Sequence, residues 1–523
     1  MKKGFTLIEL LAVILILGII ALIAIPTVNN ILKEARRGAF NSTLTNLEKA
    51  IEEKCTLEQI KNIEITTNYT ITDGVISPSL DIKGDLPDGT ITVNTNCEVS
   101  FTLSDNNFTG NKEFAGEIEI TDGSGDITTV YKESILNGAV PEFNMNLIPV
   151  TIENDGTVKE ADIYSKWYSY AEKKWANAVV LTEGGKVEDD GTILEDSIES
   201  YFVWIPRYKY KLFDMGNYDG SQDGKPTESN AKPIEIIFEN KNTPVSVGTE
   251  VGQYHSHPAF QAFDCNGIWV GKFETSGATN NLQIKPNKSA LVSLKVSVMF
   301  ESAYNYIRGN DSHMMKNTEW GAVAYLSLSK YGINKEINVN NNSTPLTGYS
   351  ATASASQSEI PGISGTDPSL TQPYNTDVGY QASTTGNITG IYDMSGGVSE
   401  YTAAYVGIGS SNFESDPIEL YGNSYFDKYS SGLMTHYFAR ILGDATGEMG
   451  PFYNYEDEDE ETRSHNSWYE DYAHFAYPHS PWFQRGGGYD NGKVNGQLHF
   501  ARSTGGSSSG LTFRVVILGH TLG

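Results

Sequence analysis

Three sets of residues in this 523-residue chain are of kinds that do chemistry. The first is Glu9, a lone carboxylate inside MKKGFTLIELLAVILILGIIALIAIP, where no residue from Leu10 to Ile25 is charged. A carboxylate in hydrocarbon is costly and is kept where a cation partners it, so its chemistry is charge pairing. The second set is sulfur: Cys55, Cys97 and Cys265 are the only cysteines. Three are too few for a disulfide-rich scaffold or a four-cysteine zinc module. The third is imidazole, His255 and His257 in YHSHPAF. On a strand these two would share a face, but the pattern supplies no third ligand, and they read as satisfied histidines of a loop.

Other motifs fall short. GSSSG at Gly506 to Gly510 spells G-x-S-x-G, yet it lacks the strand before and helix after that a nucleophile elbow needs. YNYEDEDEETR, from Tyr453 to Arg463, has no turn-making glycine at EF-hand spacing and reads as a solvated charge run. No P-loop or HExxH motif occurs. The expectation is a chain without catalysis, metal or cofactor.

The elements that position these residues begin with one long helix. The run Phe5 to Ile25 is long enough to cross a bilayer. Beyond Pro26, expected to kink the helix, Val28, Ile31, Leu32, Ala35, Ala39, Leu44, Leu47 and Ile51 keep helical spacing. The basic start, Lys2 and Lys3, is not followed by the small-residue cleavage site of an ordinary secretory signal. GFTLIE after a short basic leader resembles the type IV prepilin signature, which secretion pseudopilins share. The resemblance implies cleavage after Gly4 by a prepilin peptidase and methylation of the new amino terminus at Phe5. It also implies that Glu9 pairs with the terminal amine of a neighbouring pilin subunit. The chain would then sit in the cytoplasmic membrane by a single pass before assembly, and on an extracellular filament at the bacterial surface after it.

From Thr56 to Glu142, short apolar runs alternate with turn residues, as in Ile91-Val93 and Val99-Phe101-Leu103, and read as antiparallel strands. Helix plus sheet fits a pilin headgroup. Cys55 and Cys97 would face the oxidising side, where a disulfide tying helix to sheet is expected and two buried thiols are the alternative.

Near Asn144 the pattern changes to aromatic-rich short strands and glycine turns. Four stretches together resemble the formylglycine-generating-enzyme type of C-type-lectin fold: GIWVGKFETSG, MMKNTEWGAVAYLSLSKYG, GIYDMSGGVSEYTAAY, and WFQRGGGYDNGKVNGQLHFARSTGGSSSGLTFRVVI. Trp269, Val270, Phe273 and the alternation Phe513-Val515-Ile517 read as positions of a small mixed sheet, and Thr318 as the start of a helix stopping at Gly332. Ser350 to Thr385, rich in Ser, Thr and Gly, reads as a long surface loop. The fold class is therefore α+β. The expected divisions are a leader at 1–4, a pilin helix at 5–55, a β headgroup at 56–143 and a C-type-lectin-like domain at 144–523.

Enzymes of that family use a reactive cysteine pair near the domain's C-terminal end, and this chain has no cysteine after Cys265. The oxidative reaction is accordingly disfavoured. In the position 397–401, Gly397, Ser399 and Tyr401 replace the family's usual Asn and Trp, so packing there differs. Silent relatives serve as adhesins and as variable proteins of diversity-generating retroelements. Their binding face, carried onto this chain, is Tyr489 to Leu511. It comprises Tyr489, Asp490, Asn491, Lys493, Asn495, Gln497, His499, Arg502, Ser503, Ser507, Ser508 and Ser509. Tyrosine among small polar residues gives contact area at low entropic cost. The expected ligand is an extracellular protein or glycan. With 37 Lys plus Arg against 65 Asp plus Glu, a net charge of −28 repels phosphate backbones and argues against nucleic acid. The reading is a minor or tip subunit of a type IV pilus acting as an adhesin, with a secretion pseudopilin whose extra domain is structural as the alternative.

Overall fold

In the computed structural model, the stripe of Leu44, Leu47 and Ile51 lies on a helix over residues 37–60, five residues beyond the expected end at Cys55. The structure describes residues 37–519 apart from 62, 64, 73, 81, 83–85, 106–107, 123–130, 138, 144–145, 212–231, 243–252, 308–310, 352–370, 408–417, 419–420, 430–442, 447–467, 477–478 and 491. Gly4, Phe5, Glu9 and the acidic run 453–463 lie outside the described residues. No described helix is long and apolar enough to cross a membrane.

The chain divides into two compact units, Met1–Tyr131 and Lys132–Gly523. In the first, a six-stranded antiparallel sheet runs in the order Val75–Ser77, Asn68–Thr72, Asp88–Val93, Val99–Ser104, Phe108–Lys112, Glu119–Asp122. Period-two alternation turns Ile91, Val93, Val99, Phe101 and Leu103 inward. They meet Phe40, Leu44, Leu47 and Ile51 of the helix in one core. Each such side chain stabilises the unit by about 1.5–3 kcal/mol when buried. The approach is close at Gly110, where a Cβ would run into the Leu44 side chain. A disulfide joins Cys55, near the helix end, to Cys97, with Cα atoms 5.6 Å apart. Buried Lys112 crosses from sheet to helix, donating to Val99 O at 3.1 Å and pairing with Glu48 at 3.2 Å.

The boundary falls before the expected 143/144 division, and the reason is polar. Glu133 accepts from Ser169 Oγ at 2.8 Å and from the Tyr170 and Ala171 amides at 2.7 and 3.2 Å, so residues 132–143 belong to the second unit. Glu142 O likewise accepts from Trp269 Nε1 at 2.6 Å.

The second unit is built on an eight-stranded sheet in which every neighbouring pair is antiparallel. Its order is Thr192–Ile193, Val158–Glu160, Ile148–Ile152, Asn177–Leu181, Ile198–Pro206, Gly267–Gly271, Val515–Ile517, His313–Met314. Ile198–Pro206 is buried almost throughout, as a strand covered on both faces must be. A second sheet orders Asp427–Tyr429, Ser399–Val406, Trp482–Arg485 and Phe500–Ser503, with Leu511–Phe513 parallel to Ser399–Val406. The expected single mixed sheet is thus two. Trp269, Val270, Val515 and Ile517 belong to the antiparallel sheet and Phe513 to the mixed one. Between them buried Arg514 bonds Gly271 O at 2.8 Å and Glu400 Nε–Oε2 at 3.1 Å. Phe273 lies just beyond its strand and stacks on Tyr392 at 5.4 Å.

The helix read from Thr318 runs Asn317–Ser327, with every residue buried. Burial all round explains why its sequence carries no one-sided apolar stripe. It stops at Ser327, not at Gly332. The stretch read as a surface loop is partly internal: Thr371–Pro373 pairs with Tyr349–Ala351, and Ser383 and Thr384 are fully buried.

Candidate functional site

The segment expected to bind leaves the second sheet at Arg485. Two glycines follow in the left-handed region, Gly486 at φ +78° and Gly487 at φ +71°. A Cβ on Gly487 would run into the Asn495 amide, so this turn requires glycine. Tyr489 N then donates to Gly397 O at 2.9 Å. The neighbouring Val398 N donates to Glu274 Oε1 at 2.7 Å. Burial pushes the Glu274 carboxyl well above its usual range, and the nearby Asp393 and Glu400 push it further.

The middle of the segment turns inward. Asn495 Nδ2 donates to Gly488 O, and Ser395 Oγ donates to Asn495 O at 3.2 Å. Gln497 O accepts from Trp320 Nε1 at 2.7 Å and Leu498 N donates to Asp471 Oδ2 at 3.0 Å. His499 Nδ1 donates to Val494 O at 3.1 Å, and the ring stacks on Tyr472 with centroids 5.5 Å apart. Burial lowers the His499 pKa to about 4, so the imidazole is neutral at neutral pH. Arg485 anchors the floor, donating to Asn317 Oδ1 at 3.0 Å and Asp444 O at 2.9 Å.

These contacts correct the expected face. Asn495, Gln497 and His499 are 2%, 4% and 4% exposed and serve as internal framework, because carbonyls and a carboxylate of neighbouring loops hold this stretch in. Asn491 lies outside the described residues, and Lys493 is placed on the short 3-10 turn Gly492–Val494. Tyr489 is half-buried, Asp490 is exposed, and Arg502 and Ser503 are half-buried on the strand. Trp482 pairs with Ser503 and Arg485 with Phe500. That pairing sets the glycine turn and Ser503 at opposite ends of the ladder, roughly 10 Å apart at about 3.3 Å per residue.

Ser507, Ser508 and Ser509 are exposed. Their loop is nonetheless fastened from both sides. Val296 N donates to Gly505 O at 3.1 Å and Ser293 N to Ser508 O at 2.9 Å. Tyr401 Oη donates to Gly506 O at 3.0 Å and lies 2.6 Å from Ser503 Oγ. The loop is therefore a polar tip on a fixed base. Sequence reading missed the anchors Ser293 and Val296. They contribute backbone N–H groups, which leave no signature in residue type. Tyr401 was visible as a departure at 397–401, and its hydroxyl is what the departure supplies.

His255, His257 and Cys265 are buried. His257 is fully buried among Tyr208, Tyr210, Phe260 and Tyr325, its Nδ1 accepting from Ala259 N at 3.3 Å. Desolvation takes its pKa to about 3. Among the described residues no group of three or more His, Cys, Asp or Glu is arranged to hold a metal ion. Cys265 is a buried free thiol whose pKa burial pushes up to about 12.

Residues 1–25 match the prokaryotic N-terminal methylation motif. The match spans Gly4, Phe5 and Glu9, and it supports a type IV pilin-like or pseudopilin N-terminus. It implies processing by a prepilin peptidase, membrane-anchored assembly into surface pili, and other pilin subunits as partners. No curated protein matches the chain.

Proposed function

We propose that the chain is a minor or tip subunit of a type IV pilus whose second unit is a non-catalytic, C-type-lectin-like binding domain. Cleavage falls after Gly4, Phe5 becomes the methylated terminus, and Glu9 meets the amine of a neighbouring subunit. The observation that carries the binding role is the loop Gly505 to Gly510. It exposes three serines while its backbone is tied to Ser293, Val296 and Tyr401. A loop held before it binds loses little entropy on binding, which favours recognition. Tyr489 and Asp490 add a second contact at the far end of the ladder. The burial of His257, His499 and Cys265 supports binding over catalysis, since none of the three is offered to a substrate.

The test is a strain carrying Ser507→Arg, Ser508→Arg and Ser509→Arg together. Filaments should assemble in normal number while attachment to the bound surface is lost. Unchanged attachment would remove the loop from the recognition surface. The methylation motif equally serves a secretion pseudopilus. Sheared-filament preparations separate the two, since only a pilus subunit is recovered from the cell surface.

A further inference from the structure

A cleft of about 330 Å³ opens on the second unit, and no residue of the serine loop lines it. This is near the small end of ligand sites, about 300–1,000 Å³, and suits one ring-sized molecule better than a chain. Three elements distant in sequence build it. Glu199 begins to line it from the strand Ile198–Pro206, Asn280 and Asn281 reach in from the tip of the hairpin Ser276–Ala278/Asn281–Gln283, and Asn305 and Tyr306 follow the helix Val296–Tyr304. Leu282, 2% exposed, packs beneath the hairpin.

The carboxylate is held in place. Tyr306 Oη donates to Glu199 Oε1 at 2.9 Å and lies 2.7 Å from Ser200 Oγ, which accepts from Ile284 N at 3.1 Å. Oε2 has no such partner among the described residues. Desolvation raises the Glu199 pKa, so a hydroxyl donor arriving at Oε2 replaces hydration already partly lost. Asn280 and Asn281 add paired donors and acceptors, which is what vicinal hydroxyls require, since each hydroxyl both gives and takes, whereas Asn305 already donates its Nδ2 to Glu301 O at 2.8 Å. An apolar ligand would strip water from the two hairpin amides without replacing its hydrogen bonds. A single carboxylate is too little for a calcium cage, which takes six to eight oxygens. An anionic ligand would meet Glu199 and a chain of net charge −28.

We infer that this cleft is a metal-independent site for one neutral sugar ring, with Glu199 and the amides of Asn280 and Asn281 reading its hydroxyls. The inference does not rest on the serine loop.

The full chain in lipid nanodiscs, free of glycoside detergent, is titrated with glucose, galactose, mannose and N-acetylglucosamine in chelator, and followed by saturation-transfer NMR and calorimetry. At least one of these should bind at millimolar concentration or tighter, and glucuronate should not. Glu199→Gln should weaken binding at least about tenfold, as loss of a charged hydrogen bond does. Because Glu199 also holds Tyr306, Asn281→Ala at the exposed hairpin tip is the cleaner variant, and several-fold weakening is expected from it. The inference is overturned by three results: no neutral sugar binds, Asn280→Ala and Asn281→Ala bind like the parent, or Ser508→Arg abolishes the sugar signal and so places it at the loop.

Discussion

Replacing Cys55 and Cys97 together by alanine removes the covalent tie between the helix end and the headgroup sheet. The two residues are 42 apart in sequence. Closing a loop of that length costs the unfolded chain about 4 kcal/mol of entropy, with typical measured effects of about 2–4 kcal/mol. A domain has about 5–15 kcal/mol in all, so the loss is a large fraction. Cys97 sits at φ +63°, where a Cβ costs about 1–2 kcal/mol. Alanine keeps that strain and so isolates the cross-link, whereas Cys55→Ala with Cys97→Gly should return about 1 kcal/mol. Hydrogen exchange on the intact chain reads the effect locally. Amides of Asp88–Val93 and Val99–Ser104 should exchange roughly 30- to 700-fold faster, at about 1.4 kcal/mol per decade. Amides of Ile198–Pro206 should be unchanged. Equal protection of the headgroup strands in parent and double variant would refute the assignment of stability to this tie.

Other expectations follow from the second unit. Glu274 is unfolded near its ordinary pKa of 4.5 and folded well above it, so the folded state holds the proton more tightly. Its contribution is full below about pH 4.5 and is lost as pH rises through the folded value, by up to about 1.4 kcal/mol per unit. Glu274→Gln keeps the acceptor for Val398 N and cannot titrate. It should match the parent near pH 4.5 and melt progressively higher than the parent above pH 6, and a pH-independent difference would refute this. Gly487→Ala, at positive φ and against the Asn495 amide, should lose at least about 2 kcal/mol in urea denaturation. Gly506→Ala, whose nearest neighbour is Thr504 Oγ1 at 3.6 Å, should stay within about 0.5 kcal/mol, and equal losses would contradict the turn assignment.

What was legible in the sequence was local. The stripe of Leu44, Leu47 and Ile51 and the alternation from Ile91 to Leu103 each report the face they bury, because helix and strand periods differ. The exposure of Ser507 to Ser509 was expected from the family resemblance, which sets them on the carried-over face, and not from any local period. The inward turn at Asn495, Gln497 and His499 was not legible, since the same polar letters serve a surface or an internal frame. What decided it was the placement of Asp471, Trp320 and the Val494 and Gly488 carbonyls across the fold. The boundary at residues 131 and 132 had the same origin, in a Glu133 carboxylate that caps a turn near Ser169. The fully buried helix Asn317–Ser327 offered a start signal but no stripe from which to read its end.

The most direct measurement is mass spectrometry of the mature amino terminus, on protein recovered from sheared surface filaments. The account requires a chain that starts at Phe5 with one methyl group on its amine. Protein still carrying Met1 to Gly4, or found only in the cell body with an unmodified terminus, would contradict it.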